Sequence, residues 1–276
     1  MSIATEIIPP QAPPLEQARP YSIERFFGSV FMAIWIAIFI ATAFSMYESF
    51  NQEKLWKYGP RMISGLGVTL QLVGISIVCG AIFSIPVAFA RMSKSRILSW
   101  IAYGYVYFFR GTPLLAQLYL IYYGFGSFRP AFESIGLWWF FRDAYYCAIF
   151  AFALNTAAYQ AEILRGAIES VPRGQLEACD ALGLRKRPAF LKVILPQAII
   201  VALRPYGNEI ILMIKGSAIV AIVTVFDLMG ETRRAYSRTF DFQMYLWAGV
   251  LYLIMVEFLR NVWDWLEARL TRHLNR

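Results

Sequence analysis

Residues 28–47 (GSVFMAIWIAIFIATAFSMY) run for twenty positions without a charge, and residues 62–90 for twenty-nine. Each exceeds the ~18–20 apolar residues that a helix needs to cross ~30 Å of hydrocarbon, so both are predicted to span a membrane. Four further apolar stretches follow at about 98–126, 144–168, 205–226 and 243–266, each interrupted by charge, glycine or proline. Trp and Tyr crowd their ends, among them Trp100, Tyr122, Tyr123, Trp138, Trp139, Trp247 and Trp263, as expected of rings that sit at headgroup level. The pattern predicts an all-α integral membrane protein with six spans and both termini on one side.

Composition agrees. Of 276 residues, 58% are hydrophobic, 17% aromatic and only 16% charged, against roughly 45–50% apolar and ~25% charged in soluble domains. The first apolar run follows a proline-rich, acidic stretch (Pro9, Pro10, Pro13, Pro14, with Glu6, Glu16 and Glu24) rather than a basic one, and so reads as a retained anchor helix and not a signal peptide.

Charge then orients the chain. Segments 1–27, 91–97, 165–204 and 260–276 hold sixteen Lys and Arg, against eight in 48–61, 127–143 and 227–242. Positive charge accumulates on the cytoplasmic side, which places both termini there. The net charge of +8 does not indicate nucleic acid, because seven of the basic residues lie in 165–204 beside helix ends, where a topogenic and lipid-surface role accounts for them. Cofactor chemistry is also unsupported. Cys79, Cys147 and Cys179 are far apart and His273 is the only histidine, too little for a zinc site or a disulfide framework. No glycine-rich loop ends in Gly-Lys-Ser or Gly-Lys-Thr; any ATP used must be bound by another chain.

Between the fourth and fifth spans lies a basic loop, EACDALGLRKRPAFLKVILP (177–196). Ser170 to Gly174 break the preceding helix, and Gln175 to Leu182 are good helix formers with Leu176, Cys179 and Leu182 on one stripe. Gly183 suits the stop, since glycine accepts left-handed geometry. Pro188 resets the chain, and a second amphipathic stretch with Phe190, Leu191, Ile194 and Leu195 leads to Pro196 at the mouth of the next span. The pattern fits a compact knob outside the bilayer and, equally, a loop whose apolar side chains rest on the membrane interface.

The spacing Glu177-Ala178-Cys179, three residues, Gly183, then nine residues before Val193-Ile194-Leu195-Pro196 resembles the EAA loop of binding-protein-dependent ABC importer permeases. Cys179 stands where a second alanine is common and Val193 where isoleucine is. The stretches FFRGTPLLAQLYLIYYG (108–124), LNTAAYQAEILRGAIESVPRGQ (154–175) and NEIILMIKGSAI (208–219) resemble the permeases of polar amino acid importers, particularly those for histidine, arginine and opines. The likeness runs from about Arg61 to about Leu266. It implies the type I importer fold, with a five-span core preceded here by one extra helix. It also implies that Glu177, Ala178, Cys179, Asp180, Ala181, Leu182 and Gly183 form a coupling helix that docks on a cytoplasmic ATPase.

Charges inside the spans are the remaining candidates. Arg110 lies fourteen residues beyond Arg96, about 21 Å along a helix, and meets Gly111-Thr112-Pro113. A broken helix at a translocation path fits this, as does a proline kink with Arg110 paired for packing. Glu162, one turn before Arg165, reads either as an intramembrane functional carboxylate or as half of an i,i+3 salt bridge. In the family that it resembles, the fourth span lines the pathway. This makes Asn155, Tyr159 and Glu162 solute contacts, with Glu162 favouring a cationic solute. Asn208, Glu209, Lys215 and Ser217 fall on the fifth span, suited to a polar seam between helices or subunits or, for Asn208, Glu209 and Lys215 as pathway residues, to contact with the solute or a gate.

The expected organisation is a cytoplasmic extension at 1–27, an extra spanning helix with a periplasmic loop at 28–60, a permease domain at 61–266 with its EAA loop at 170–198, and a cytoplasmic tail at 267–276. The expected function is that of the permease subunit of an ABC importer in a bacterial inner membrane, taking up a cationic amino acid or an opine, with no cofactor and no covalent chemistry of its own. Its expected partners are an ATPase subunit dimer, a second permease subunit, identical or homologous, a periplasmic solute-binding protein and membrane lipid. The alternative is a secondary transporter or channel using Glu162, Glu209 or Glu257 as ion sites.

Overall fold

A computed structural model describes residues 23–48 and 50–272; most of the expected 1–27 extension, and His273, lie outside them. The chain divides into two units, 1–50 and 51–276. In the first, α1 (Ile23–Glu48) is a single apolar helix, about 39 Å long at 1.5 Å per residue and therefore able to cross a bilayer. Two of its hydroxyls are satisfied within the helix, Ser29 Oγ donating to the Arg25 carbonyl and Thr42 Oγ1 to that of Ile38.

Among the described residues of the second unit the regular structure is all helical, joined by short turns. α2 (Gln52–Arg91) starts ten residues before the apolar run because Asn51 caps it, its side chain accepting from the Lys54 amide at 3.1 Å. The central helix of the unit is α7 (Ala144–Glu169), which buries residues on nearly every side, most of them small: Ala148, Ala151, Ala153, Ala157, Ala158 and Ala161. Small residues let backbones approach within a membrane, where apolar contact alone gives no preference for protein over lipid. α2 contributes the matching gap. A Cβ on Gly80 would lie 2.3 Å from the Thr156 side chain and 3.2 Å from the Ala157 backbone nitrogen.

The third expected span is not continuous. α3 (Arg96–Gly111) ends at Thr112, and α4 (Leu114–Tyr119) begins after Pro113, continuing as a π-turn, Leu120–Gly124. Pro113 has no N–H to give the Phe109 carbonyl. The side-chain amide of Gln117 donates to that carbonyl at 2.9 Å, and Asn155 Nδ2 of α7 donates to it as well, also at 2.9 Å. Gln117 also reaches the carbonyl and hydroxyl of Thr112, and its own oxygen accepts from Asn155. The helix is therefore broken at Gly111-Thr112-Pro113, and the freed backbone is satisfied by protein. Two short helices, α5 (Arg129–Ser134) and α6 (Trp138–Phe141), link this segment to α7 through a packed aromatic group that includes Phe125, Phe132 and Phe141.

After α7 come α8 (Arg173–Ala181) and α9 (Lys186–Ala189), a π-turn at Phe190–Ile194, and α10 (Leu195–Ser217). The fifth span therefore starts well before the expected residue 205, because the second half of the loop is already helical and joins α10 without interruption from Lys186. Pro188 fits because it falls within the first helical turn, where a missing N–H costs little, and Pro196 directly follows the π-turn, where the hydrogen-bond ladder is already shifted. A 3₁₀ turn, Ala218–Val223, stops at Thr224 with φ +64°. α11 (Leu228–Thr239) follows, capped by Asp227, whose buried carboxylate also accepts from Thr69 of α2 and from the Tyr252 hydroxyl. α12 (Gln243–Thr271) runs past the expected start of the tail at 267, and Tyr252 lies on it.

Candidate functional sites

Two regions gather the residues singled out by sequence. The first is the knob. The expected helix forms, starting two residues earlier at Arg173, and stops where glycine was expected to stop it. Gly183 has φ +65°, its amide donates to the Asp180 carbonyl at 3.0 Å, and the Leu184 amide donates to that of Cys179 at 3.0 Å. This double bond pattern is the Schellman motif. Of the apolar stripe, Cys179 is buried while Leu176 and Leu182 are exposed, Leu182 to 77%. Glu177 and Asp180 are exposed beside them. α8 packs on the π-turn at 190–194, and the base of the knob is an apolar cluster of Ala167, Val171, Ile194, Ala198 and Ala202. The arrangement thus offers an outward face with two free leucines and two carboxylates on a fixed base.

The second region lies between α3, α7 and α10. Tyr159 and Glu162 sit ten and seven residues before the last residue of α7, about 15 and 10 Å from that end. Glu162 lies within α7 and forms the expected i,i+3 salt bridge. Arg165 holds it with Nη2 2.8 Å from Oε2, and Arg91 donates to Oε1 at 2.9 Å. Arg165 also reaches Glu169 at 2.6 Å. The Arg110 guanidinium lies 3.9 Å from Glu162 and over the ring of Tyr159, 5.1 Å from its centroid. Arg91 and Arg110 therefore meet one carboxylate, although Arg91 precedes the start of α3 and Arg110 lies near its end.

Asn155 is buried, with its amide committed to the helix break. The expected seam on α10 splits in two. Asn208 and Lys215 share an exposed stripe, whereas Glu209 and Ser217 are buried. Glu209 accepts from Thr156 Oγ1 at 2.9 Å. The seven-residue interval does align Asn208 with Lys215, and a residue adjacent to Asn208 necessarily points about 100° away. Sequence reasoning missed Gln117, Arg91 and Thr156. Gln117 could have been found by asking what satisfies the carbonyl four residues before Pro113. Arg91 and Thr156 carry no local signal, because their partners lie 71 and 53 positions away.

Among the described residues no three His, Cys, Asp or Glu side chains could hold a metal together, and the three cysteines are free. Outside the spans, Lys54 donates to Asp241 and holds its carboxyl below the usual carboxylate range, helped by the Gln243 amide.

A membrane helix bundle with a capped external helix set between two of its spans matches a known family over residues 76–272, that of the "binding-protein-dependent transport system inner membrane component". The chain belongs to this family. The permease is 44% identical over 197 residues to a nopaline transport system permease of Agrobacterium fabrum, covering 71% of this chain and 82% of that one. It is 40% identical to an octopine transport system permease of Rhizobium radiobacter (75% and 84% covered) and 35% identical to an arginine ABC transporter permease of Escherichia coli (73% and 90%). Its fold superposes on a solved amino acid ABC transporter with a TM-score of 0.71, at 34% identity and over 80% of this chain and 99% of the other. A solved methionine ABC transporter in an inward-facing conformation shares the fold at 20% identity, with a TM-score of 0.65. The type I ABC importer fold is thereby established, and the permease is a multi-pass component of an ABC importer.

Proposed function

We propose that this permease carries an opine or a cationic amino acid into the cell. A periplasmic solute-binding protein delivers the solute, and ATP is hydrolysed by a separate pair of ATPase subunits. The observation that carries the solute class is the 44% identity to a nopaline permease together with the octopine and arginine relatives. Glu177 to Gly183 form the coupling helix; their support is the exposed face of α8 on its packed base. The distribution of sixteen basic residues against eight supports a cytoplasmic position for α8 and for both termini. A second permease subunit, identical or homologous, completes the path, and the exposed Asn208 and Lys215 of α10 face it or the solute. Arg110, Tyr159 and Glu162 line a cleft of about 390 Å³ that serves as part of the pathway, while Asn155 and Glu209 act behind it by holding backbone and neighbours in place.

The ion-coupled alternative loses its footing. Glu162 and Glu257 are each bonded to arginine, and the family is driven otherwise. The deciding experiment reconstitutes the permease with its ATPase and binding protein in proteoliposomes and follows labelled arginine, with octopine and nopaline as competitors. Uptake that requires both ATP and the binding protein and ignores an uncoupler is expected. Uptake by this chain alone, collapsed by an uncoupler, defeats the proposal.

A further inference from the structure

The cleft between α3, α7 and α10 presents two kinds of charge, and they are not equally available. Both oxygens of Glu162 already accept from arginine: Oε1 from Arg91 Nε at 2.9 Å and from Arg165 Nε at 3.2 Å, Oε2 from Arg165 Nε at 3.2 Å and Nη2 at 2.8 Å. Its side chain is 14% exposed. A carboxylate has room for about four such bonds, so little acceptor capacity faces the cleft. Arg110 is the reverse case. Its side chain is 43% exposed, and its nearest carboxylate oxygen stands at 3.9 Å, too far for a hydrogen bond. Glu209 is buried and bonded to Thr156.

The seat under Arg110 is built. The guanidinium stacks over Tyr159 at 5.1 Å, and the Tyr159 hydroxyl points to the Arg110 carbonyl at 3.5 Å. Stacking occupies the face of a guanidinium and leaves its edge of N–H donors free. That planar fork matches a carboxylate, with two parallel charge-assisted bonds. We infer that Arg110, seated on Tyr159, receives the carboxylate of the passing solute, and that Glu162 does not receive its cationic group. Glu162 instead binds Arg91 and Arg165, neither of which lines the cleft, and among the described residues Arg110 is the guanidinium that does. A half-exposed receptor gives a weak, water-competed contact, suited to a site that must also release. The inference rests on the reading that the permease carries an amino acid or opine.

The test compares arginine with agmatine, which is arginine without its carboxylate, by equilibrium dialysis of each labelled compound against the detergent-purified permease–ATPase complex without binding protein. Wild type should hold arginine about tenfold more tightly than agmatine, the scale of a hydrogen bond to a charged group. Arg110→Gln should bring that ratio close to one, Arg110→Lys should keep part of it, and Tyr159→Leu should lower it while Tyr159→Phe does not. Each variant is accepted only if it elutes as an intact complex. An unchanged ratio in Arg110→Gln, or wild type that holds agmatine as well as arginine or holds neither, overturns the inference. Uptake by wild type in proteoliposomes separates the two levels. Uptake present with an unchanged ratio removes only the assignment of Arg110, whereas uptake of no amino acid or opine removes the proposed function and this inference with it.

Discussion

The knob at 173–184 and the helix break at 109–117 are both interruptions of regular structure, but they are held in opposite ways. The knob is closed by its own backbone, through the two amide bonds around Gly183. The break is closed by side chains, two amides converging on the Phe109 carbonyl, one of them from a residue 46 positions away. Water outside the bilayer can tolerate an imperfect turn, since exposed backbone groups find partners there. A carbonyl buried away from water finds none, so an interruption among buried side chains such as Gln117 and Asn155 has to bring its acceptors and donors with it. A local interruption can thus be replaced by any sequence that makes the same turn, whereas the break depends on a helix elsewhere in the chain.

Substitutions can separate the two. Asn155→Leu should have the largest effect on folding, because it leaves the Phe109 carbonyl short of one donor and the Gln117 oxygen without its partner. A loss of about 2–4 kcal/mol is expected, read as a lower unfolding temperature of the purified permease. Gly80→Val should follow at about 1–3 kcal/mol by overpacking against Thr156, with the same readout; it tests whether the α2–α7 contact is the platform on which Asn155 stands. Gly183→Ala should cost only about 1–2 kcal/mol of local strain from the left-handed backbone. Insertion and global unfolding should be nearly unchanged, but uptake and substrate-stimulated ATP hydrolysis should be lost, as they should in Glu177→Ala. Full uptake in both would remove α8 from the coupling role.

The smallest effect belongs to Asp241 and serves as a control remote from both regions. Lys54 depresses its carboxyl, so the pair stabilises the fold above the ordinary carboxylate range, near pH 4, and that contribution is lost as pH falls through the lower folded value. Asp241→Asn should remove this acid dependence and change stability at neutral pH by no more than about 1 kcal/mol. Thermal unfolding at pH 3 and pH 7 checks both statements.

This contrast also explains what could be read from the sequence. Apolar runs identified the spanning helices, and Gly183 announced the end of α8, because hydrocarbon thickness and left-handed geometry act on neighbouring residues. Helix ends were less legible. α2 starts at Gln52 because a polar cap outweighs ten mixed residues, and α10 is joined to the loop before it by a π-turn that no apolar count reveals. The partners of Glu162 and Glu209 were legible only in part. Arg165 is one turn from Glu162, but Arg91 and Thr156 become neighbours only once α2, α7 and α10 have packed. The same packing commits both oxygens of Glu162, which alone suggests attraction of a cation, to arginines of its own chain.

The π-turn at 190–194 has a mechanical consequence. It joins α9 to α10, so the helix is unbroken over 38 residues from Lys186 to Val223, a shaft about 57 Å long with α8 packed near its foot. A slack loop at that position would absorb a push on α8 locally. If α8 is the coupling helix, a continuous helix instead passes such a push along its length toward Thr224, where the backbone turns left-handed, and Pro205 inside α10 is the point at which it would bend.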